Sequence, residues 1–249
     1  GRAAKGRAIV NLIGCEPDEK VSAFISVKEF NEDHYVVMAT EKGMVKKTKL
    51  SAYSNPRKKG IYAVEIRDGD KLIEARVSTG DNDILLGTRN GKSIRFSEEQ
   101  IRASGRKTMG VKGITLSSDD DRLVGMLLIK REGTVLVATE KGFGKRTEIS
   151  QYRAQKRGGK GVLTMKTTDK VGKMVTIKEV VDKDDLMIIT NQGVLIRLPV
   201  AQIRSIGRAT QGVKLIKLGE GTLVSSITRI MSEEEENENN NTESTDPKE

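Results

Sequence analysis

The sequence predicts an all-β, propeller-like disc of repeated four-stranded blades, and two interleaved glycine series carry that reading. Four apolar, β-branched strands, expected at 35–40, 84–88, 135–139 and 186–190, each run into a tight turn ending in Gly43, Gly91, Gly142 or Gly193, spaced 48, 51 and 51 residues apart. A second series, Gly60, Gly110, Gly161 and Gly212, is spaced 50, 51 and 51. Self-similarity at a period of about fifty residues marks a repeat architecture. A four-stranded unit cannot bury both of its faces alone, and radial stacking solves that problem.

Each element has its own signal. A threonine stands three residues before every hairpin glycine (Thr40, Thr88, Thr139, Thr190), and a cation stands four after it (Lys47, Arg95, Arg146, Arg197). Apolar runs meeting at such short turns are hairpins. Each glycine of the second series leads into a further strand, expected at 61–66, 111–116, 162–166 and 213–218. Arg106, Arg157 and Arg208 stand four residues before it, whereas the first copy has Arg57 one position later. Gly6, with Arg2 four residues before it and an apolar run at 8–12, is the trailing half of a fifth copy. Polar turns at 68–70, 118–121 and 219–221 precede strands expected at 72–77, 124–129, 176–181 and 223–230. The complete copies are read as 21–71, 72–123, 124–175 and 176–224, with 6–20 and 225–231 as halves that would complete a blade between the chain ends. Helix is expected only as single turns near 97–102 and 200–204.

The charge is unevenly distributed. The 249 residues carry +9 overall, but residues 1–231 hold 43 Lys and Arg against 27 Asp and Glu, a net +16, and 232–249 carry −7. That acidic, asparagine-rich tail is of low complexity and is expected to be disordered. A body so basic is the electrostatic footprint of a polyanion, nucleic acid before an anionic membrane. No run approaches the roughly eighteen apolar residues of a membrane span, and no signal-peptide pattern opens the chain. With Cys15 and His34 alone of their kinds, one chain builds neither a disulfide framework nor a Cys/His zinc site. The scarcity of cysteine suits a reducing cytoplasm. Eight aromatic residues and no tryptophan leave few platforms for stacking bases, which favours a duplex backbone over single strands.

No phosphate-binding loop, nucleophile elbow or second histidine is present. Asp119, Asp120 and Asp121 read as an inter-strand turn rather than a cation site. No catalytic residue, metal site or cofactor is therefore expected in this chain. The candidate site is basic. Its centre is the heptapeptide Gln155, Lys156, Arg157, Gly158, Gly159, Lys160, Gly161, in which glycines let backbone N–H groups approach a ligand and cations attract phosphodiesters. Around it, Lys47, Arg95, Arg146 and Arg197, with Lys46 and Lys145 beside them and Arg106 and Arg208 at the second phase, predict a continuous basic rim. Such a rim would hold a bent duplex by its phosphates, without base readout.

The heptapeptide, QKRGGKG, resembles the box QRRGGKG of the DNA gyrase A subunit, with lysine at its second position. The stretches 142–147 (GFGKRT) and 207–213 (GRATQGV) resemble the last blades of that subunit's C-terminal domain, and 6–12 (GRAIVNL) the end of an earlier blade. The resemblance covers nearly all of 1–231. It implies a β-pinwheel, a propeller whose blades exchange strands, and a non-catalytic, monomeric cytoplasmic domain that wraps double-stranded DNA for the breakage–reunion core. It implies as partners the remainder of the gyrase A subunit, together with the gyrase B subunit, with ATP and Mg serving only the parent heterotetramer that drives negative supercoiling. In that family the box lies in the first blade, whereas here it lies in the third complete repeat. The related disc of the topoisomerase IV A subunit has a degenerate box, and a protein-interaction propeller has no need of repeated cations. Charge reversal at Arg146 and Arg197 is expected to separate DNA binding from protein binding.

Overall fold

The computed structural model describes residues 19–57 and 59–230. Arg2, Gly6, Cys15, the run at 8–12 and the tail at 232–249 lie outside the described residues. Four hairpins form: β1 (Tyr35–Thr40) with β2 (Met44–Lys49), β4 (Asp83–Thr88) with β5 (Lys92–Ser97), β8 (Thr134–Thr139) with β9 (Phe143–Glu148), and β12 (Asp185–Thr190) with β13 (Leu195–Pro199). An inner strand closes each: β3 (Leu72–Ser78), β7 (Leu123–Ile129), β11 (Met174–Val180) and β15 (Val224–Ile230). The threonine before three of the four hairpin glycines has a turn-closing role, whereas Thr139 Oγ1 donates to Val171 O. The Oγ1 atoms of Thr40, Thr88 and Thr190 accept the N–H of Met44, Lys92 and Val194 and close the turn.

Three blades gain an outer strand from the next repeat. These strands, β6 (Val111–Lys112), β10 (Val162–Leu163) and β14 (Val213–Lys214), pair with β2, β5 and β9, giving the orders β3-β1-β2-β6, β7-β4-β5-β10 and β11-β8-β9-β14. The fourth sheet, β15-β12-β13, has three strands among the described residues. Inner strands pack on one another in succession, β3 on β7, β7 on β11 and β11 on β15, around a central axis.

Two expectations change. The strands at 72, 123 and 174 do not open new copies, because each hydrogen-bonds to the hairpin that precedes it in sequence. Outer strands are two residues long rather than five or six, and 61–66 contains no strand. The chain leaves the ladder early because it dives beneath the neighbouring hairpin turn. There Gly113 and Ile114 both donate to Gly43 O, Thr164 and Met165 to Gly91 O, and Leu215 and Ile216 to Gly142 O. Each dive buries an apolar plug, Ile114, Met165 or Ile216. One-turn 3-10 helices form at Glu98–Gln100 and Val200–Gln202 as expected, and also at Leu50–Tyr53 and Ile149–Gln151.

The core lies between blades. Val37, Ala39 and Val45 of the first pack with Ile84, Leu86 and Phe96 of the second. Leu85 and Leu127 then meet Val135 and Val137, and Leu136 and Ala138 meet Leu186 and Ile188. Hairpin strands buried on both faces read as unbroken apolar runs rather than alternating ones.

Two glycines of the second series are needed twice over. Gly110 and Gly161 have φ of +81° and +67°, and a Cβ at either would lie 2.3 Å from a carbonyl oxygen, that of Val45 or Ser93. Gly161→Ala or Gly110→Ala is expected to cost upwards of about 2 kcal/mol from left-handed strain and displacement of the facing strand. Chemical denaturation of the two variants and the parent checks this, and an unchanged midpoint would refute it.

Candidate nucleic-acid interface

The 155–161 loop precedes the donated strand β10, so it sits at the outer edge of the second blade, where three repeats meet. Gln155 N–H donates to Arg95 O (2.8 Å) in the second blade. Gly158 N–H donates to Gly113 O (2.7 Å), Thr115 Oγ1 to Gly158 O (2.7 Å) and Thr115 N–H to Gly159 O (2.9 Å), beside the strand lent to the first blade. Arg157 Nη1 donates to Lys112 O (2.6 Å) and Nε to Gln100 O (3.2 Å). These acceptors are carbonyls, so the loop keeps its full positive charge. Lys156 and Lys160 are exposed on either side of the two central glycines. Arg208 repeats the bond of Arg157 one seam later, with Nη1 donating to Leu163 O (3.0 Å).

The ring of cations four residues after each hairpin glycine exists, but it does not form the outer surface. Lys47 is buried against Glu98, itself 0% exposed, at 3.0 Å, and donates to Gly80 O. Arg95 pairs with Asp83 (2.6 Å) and donates to Ile149 O and Tyr152 O in the next repeat. Arg146 pairs with Asp182 and donates from Nε to Ile203 O (2.7 Å). Only Arg197, on the fourth blade, has a well-exposed side chain, and it is bound to Asp185 at 2.5 Å. Lys47, Arg95 and Arg146 clamp their blades to the 3-10 turn of the next, and neighbouring carboxylates neutralise all four cations. Sequence phase identifies equivalent positions but not the seam into which they point.

Lys46 and Lys145 are further corrections. At 1% and 0% exposure they lie under the loops at the second glycine phase, where Lys46 Nζ donates to Ala63 O (2.7 Å) and Arg106 O (2.5 Å). Lys145 Nζ donates to Gly207 O (2.7 Å), Arg208 O and Thr210 Oγ1 (3.0 Å). Burial, reinforced by Arg106 or Arg208 nearby, pulls each ammonium down to about 8. In the second blade the same position is Ile94, fully buried, which would lie 3.5 Å from a Cβ on Gly159. The heptapeptide therefore rests on an apolar floor where its counterparts rest on a lysine.

The exposed cations include a third series that sequence reading missed. Arg102, Arg153 and Arg204 repeat at 51-residue spacing just past the 3-10 turns and are all exposed. None has a side-chain hydrogen bond or ion pair among the described residues, in contrast to the buried ring. Their spacing was visible in the sequence, but loop positions carry no hairpin or glycine signal to single them out. With Lys107, Lys112, Lys156, Lys160 and Lys214, also exposed, they line the edge carrying the donated strands. Asp121 is buried, and its oxygens accept from Asn90 N–H (2.9 Å), Ser117 Oγ (2.6 Å) and Arg122 N–H (3.0 Å), as an inter-strand turn requires.

These features define a strand-exchanged propeller with a basic outer edge. A family model described as the DNA gyrase C-terminal domain, a β-propeller, matches residues 34–79, 82–130, 133–180 and 184–230, one segment per blade, and the chain belongs to that family. It is 45% identical over 237 residues to the DNA gyrase A subunit of Staphylococcus epidermidis, covering 94% of this chain and 26% of that protein. It is 43% identical over 247 residues to the equivalent protein of Staphylococcus aureus, covering 98% of this chain and 28% of that one. The chain thus spans about a quarter of the length of these relatives. Among solved structures, the C-terminal domain of DNA topoisomerase IV superposes with a TM-score of 0.85 at 26% identity, over 92% of this chain and 71% of that one. A DNA gyrase A C-terminal domain does so at 0.82 and 22%, over 92% and 77%, which speaks to the fold. No described helix is long and apolar enough to cross a membrane.

The buried lysines give a pH signature. Their folded-state values, about 8, lie below the ordinary 10.5, so between these limits the unfolded chain binds more protons than the folded one. Stability is expected to rise as pH increases from about 8 towards 10.5. In Lys46→Met/Lys145→Met that rise should be reduced, and parallel slopes in denaturant titrations of the two proteins would contradict the assignment.

Proposed function

We propose that this chain is a DNA-binding, DNA-wrapping domain of a DNA gyrase A subunit, without catalytic chemistry of its own. In this reading it bends duplex DNA along the edge of the donated strands, so that the parent enzyme, using ATP together with its B subunit, introduces negative supercoils. The observation that carries it is the exposed series Arg102, Arg153 and Arg204, flanked by Lys156 and Lys160, on a body of net +16. One such arginine on each of the second, third and fourth blades, at a phase where the first blade has Ser54, matches a duplex backbone that curves past successive blades. Contacts to phosphate fix register without reading bases. Family membership and 45% identity to a gyrase A protein support the same assignment. The likeness to a topoisomerase IV domain keeps that enzyme as the alternative parent.

The test reverses the exposed arginines rather than the seam cations. Arg102→Glu/Arg153→Glu/Arg204→Glu is expected to weaken binding of a short duplex by at least about tenfold at moderate salt. It should also flatten the salt dependence by roughly one unit of log–log slope for every phosphate no longer engaged, with little change in melting temperature. Unaltered affinity would overturn this placement of the interface. Arg146→Glu, by contrast, is expected to destabilise the fold by about 3 kcal/mol or more, because it sets an unpaired carboxylate against Ile203 O at a position that is 9% exposed. Wrapping itself is read by closing nicked circular DNA with ligase in the presence of the chain. A positive linking difference supports it, and none refutes it.

A further inference from the structure

The inner strands surround an axial cleft of about 560 Å³ that the DNA-binding reading does not use. If packing alone shaped it, apolar side chains would fill it. Instead the register-equivalent positions on the four inner strands, opposite Val37, Leu85, Leu136 and Met187, are Arg76, Leu127, Lys178 and Thr228. Cations thus occupy the same level on the first and third blades, and Arg229 lines the cleft from the fourth.

The acids nearby are already engaged. Glu74 pairs with Arg76 (3.1 Å). Glu179 Oε1 accepts the N–H groups of Lys130 (3.1 Å) and Arg131 (3.0 Å). Asp184 is buried, takes Arg131 at 2.5 Å and lies 3.9 Å from Arg229. Lys130 Nζ donates to Val77 O (3.0 Å). Lys178 is different: it is half-buried and has no hydrogen bond or ion pair among the described residues. Burial lowers its pKa, and the neighbouring Arg76 and Arg229 lower it further against the opposing pull of Glu74. An ammonium held there, with guanidinium groups for neighbours, lacks an acceptor.

We propose that the axial cleft is a binding site for a small multivalent oxyanion of the phosphate or diphosphate class, held by Lys178, Arg76 and Arg229. Such an anion supplies the acceptor that Lys178 lacks and offsets repulsion among three converging cations, and charge-assisted contacts of this kind are the stronger hydrogen bonds. Carboxylates of the chain itself are a second source of the same chemistry. Glu233 follows Arg229 by four residues, a span of at most about 14 Å, and Glu234, Glu235 and Glu236 follow it.

Calorimetric titration of inorganic pyrophosphate into the full chain, at about 0.15 M salt to screen the outer edge, tests the site. It is run beside Lys178→Met, the triple reversal Arg102→Glu/Arg153→Glu/Arg204→Glu, and a variant with residues 233–236 changed to Gln. Binding by the parent that weakens at least about tenfold in Lys178→Met, but not in the triple reversal, establishes a site open to free anion. Binding by the Gln variant alone, abolished when Lys178→Met is added to it, establishes a site filled by the chain's own carboxylates. A pyrophosphate-dependent rise in melting temperature that Lys178→Met lacks gives the same result independently. Should Lys178→Met fail to fold, Arg76→Gln serves in its place. No binding by either parent or Gln variant, or loss in the triple reversal with Lys178→Met unaffected, overturns the proposal.

Discussion

The structure depends on one constraint: three of its blades are completed by a strand that belongs to the next repeat. A hairpin such as β1–β2 leaves an open edge, and an unpaired edge is both a loss of backbone hydrogen bonds and an invitation to aggregation. Here the following repeat covers it. The chain crosses to the neighbouring blade, turns at a glycine pressed against that blade's carbonyl, pairs for two residues and drops beneath the hairpin turn. The carbonyls of Gly43, Gly91 and Gly142 each receive two N–H groups at that drop. No repeat is autonomous, and stability resides in the seams, as in other stacked-repeat proteins.

That constraint explains the division among the cations. A crossing segment carries its 3-10 turn and loop against the flank of another blade, where carbonyls and carboxylates must be satisfied. Lys47, Arg95 and Arg146 do this, and Lys46 and Lys145 hold the loops from below. Buried pairs such as Lys47 with Glu98 add little net stability relative to apolar substitutes, but are costly to break singly, so they fix which surfaces dock. Cations beyond the crossing are released to solvent. The positive charge of the outer edge therefore belongs to loops whose geometry the buried cations set.

The heptapeptide stands at one of these crossings, where a Cβ on Gly161 would lie 2.3 Å from Ser93 O. Its backbone is tied to the second blade through Arg95 O and to the strand lent to the first blade through Gly113 and Thr115. Gly158 and Gly161 adopt positive φ there, which side chains would resist. The result is a stiff turn presenting Lys156 and Lys160 outward, with Arg157 spent on holding it. In the proposed DNA complex, such placement would lower the ordering cost of meeting a phosphate backbone.

Much was legible in the sequence because the physics involved is local or periodic. Hairpin strands came from apolar runs, turns from glycine and threonine spacing, and the repeat from its period; β1 was read to the residue and the other hairpins to within one at their starts. The heptapeptide was visible as a cluster of glycine and cation. Other features needed the fold. Whether β3 closes its own blade or opens the next depends on pairing partners about thirty-five residues away, and the same apolar strand serves either. Arg95 and Arg153 are equally basic in sequence, yet one faces a carboxylate in a seam and the other faces water. The axial cations emerge only when four inner strands are brought together. Composition and period determined that this chain would be a basic, bladed disc. Tertiary structure alone decided which charges bind the disc together and which are left exposed to solvent, because that depends on what each side chain meets across a seam.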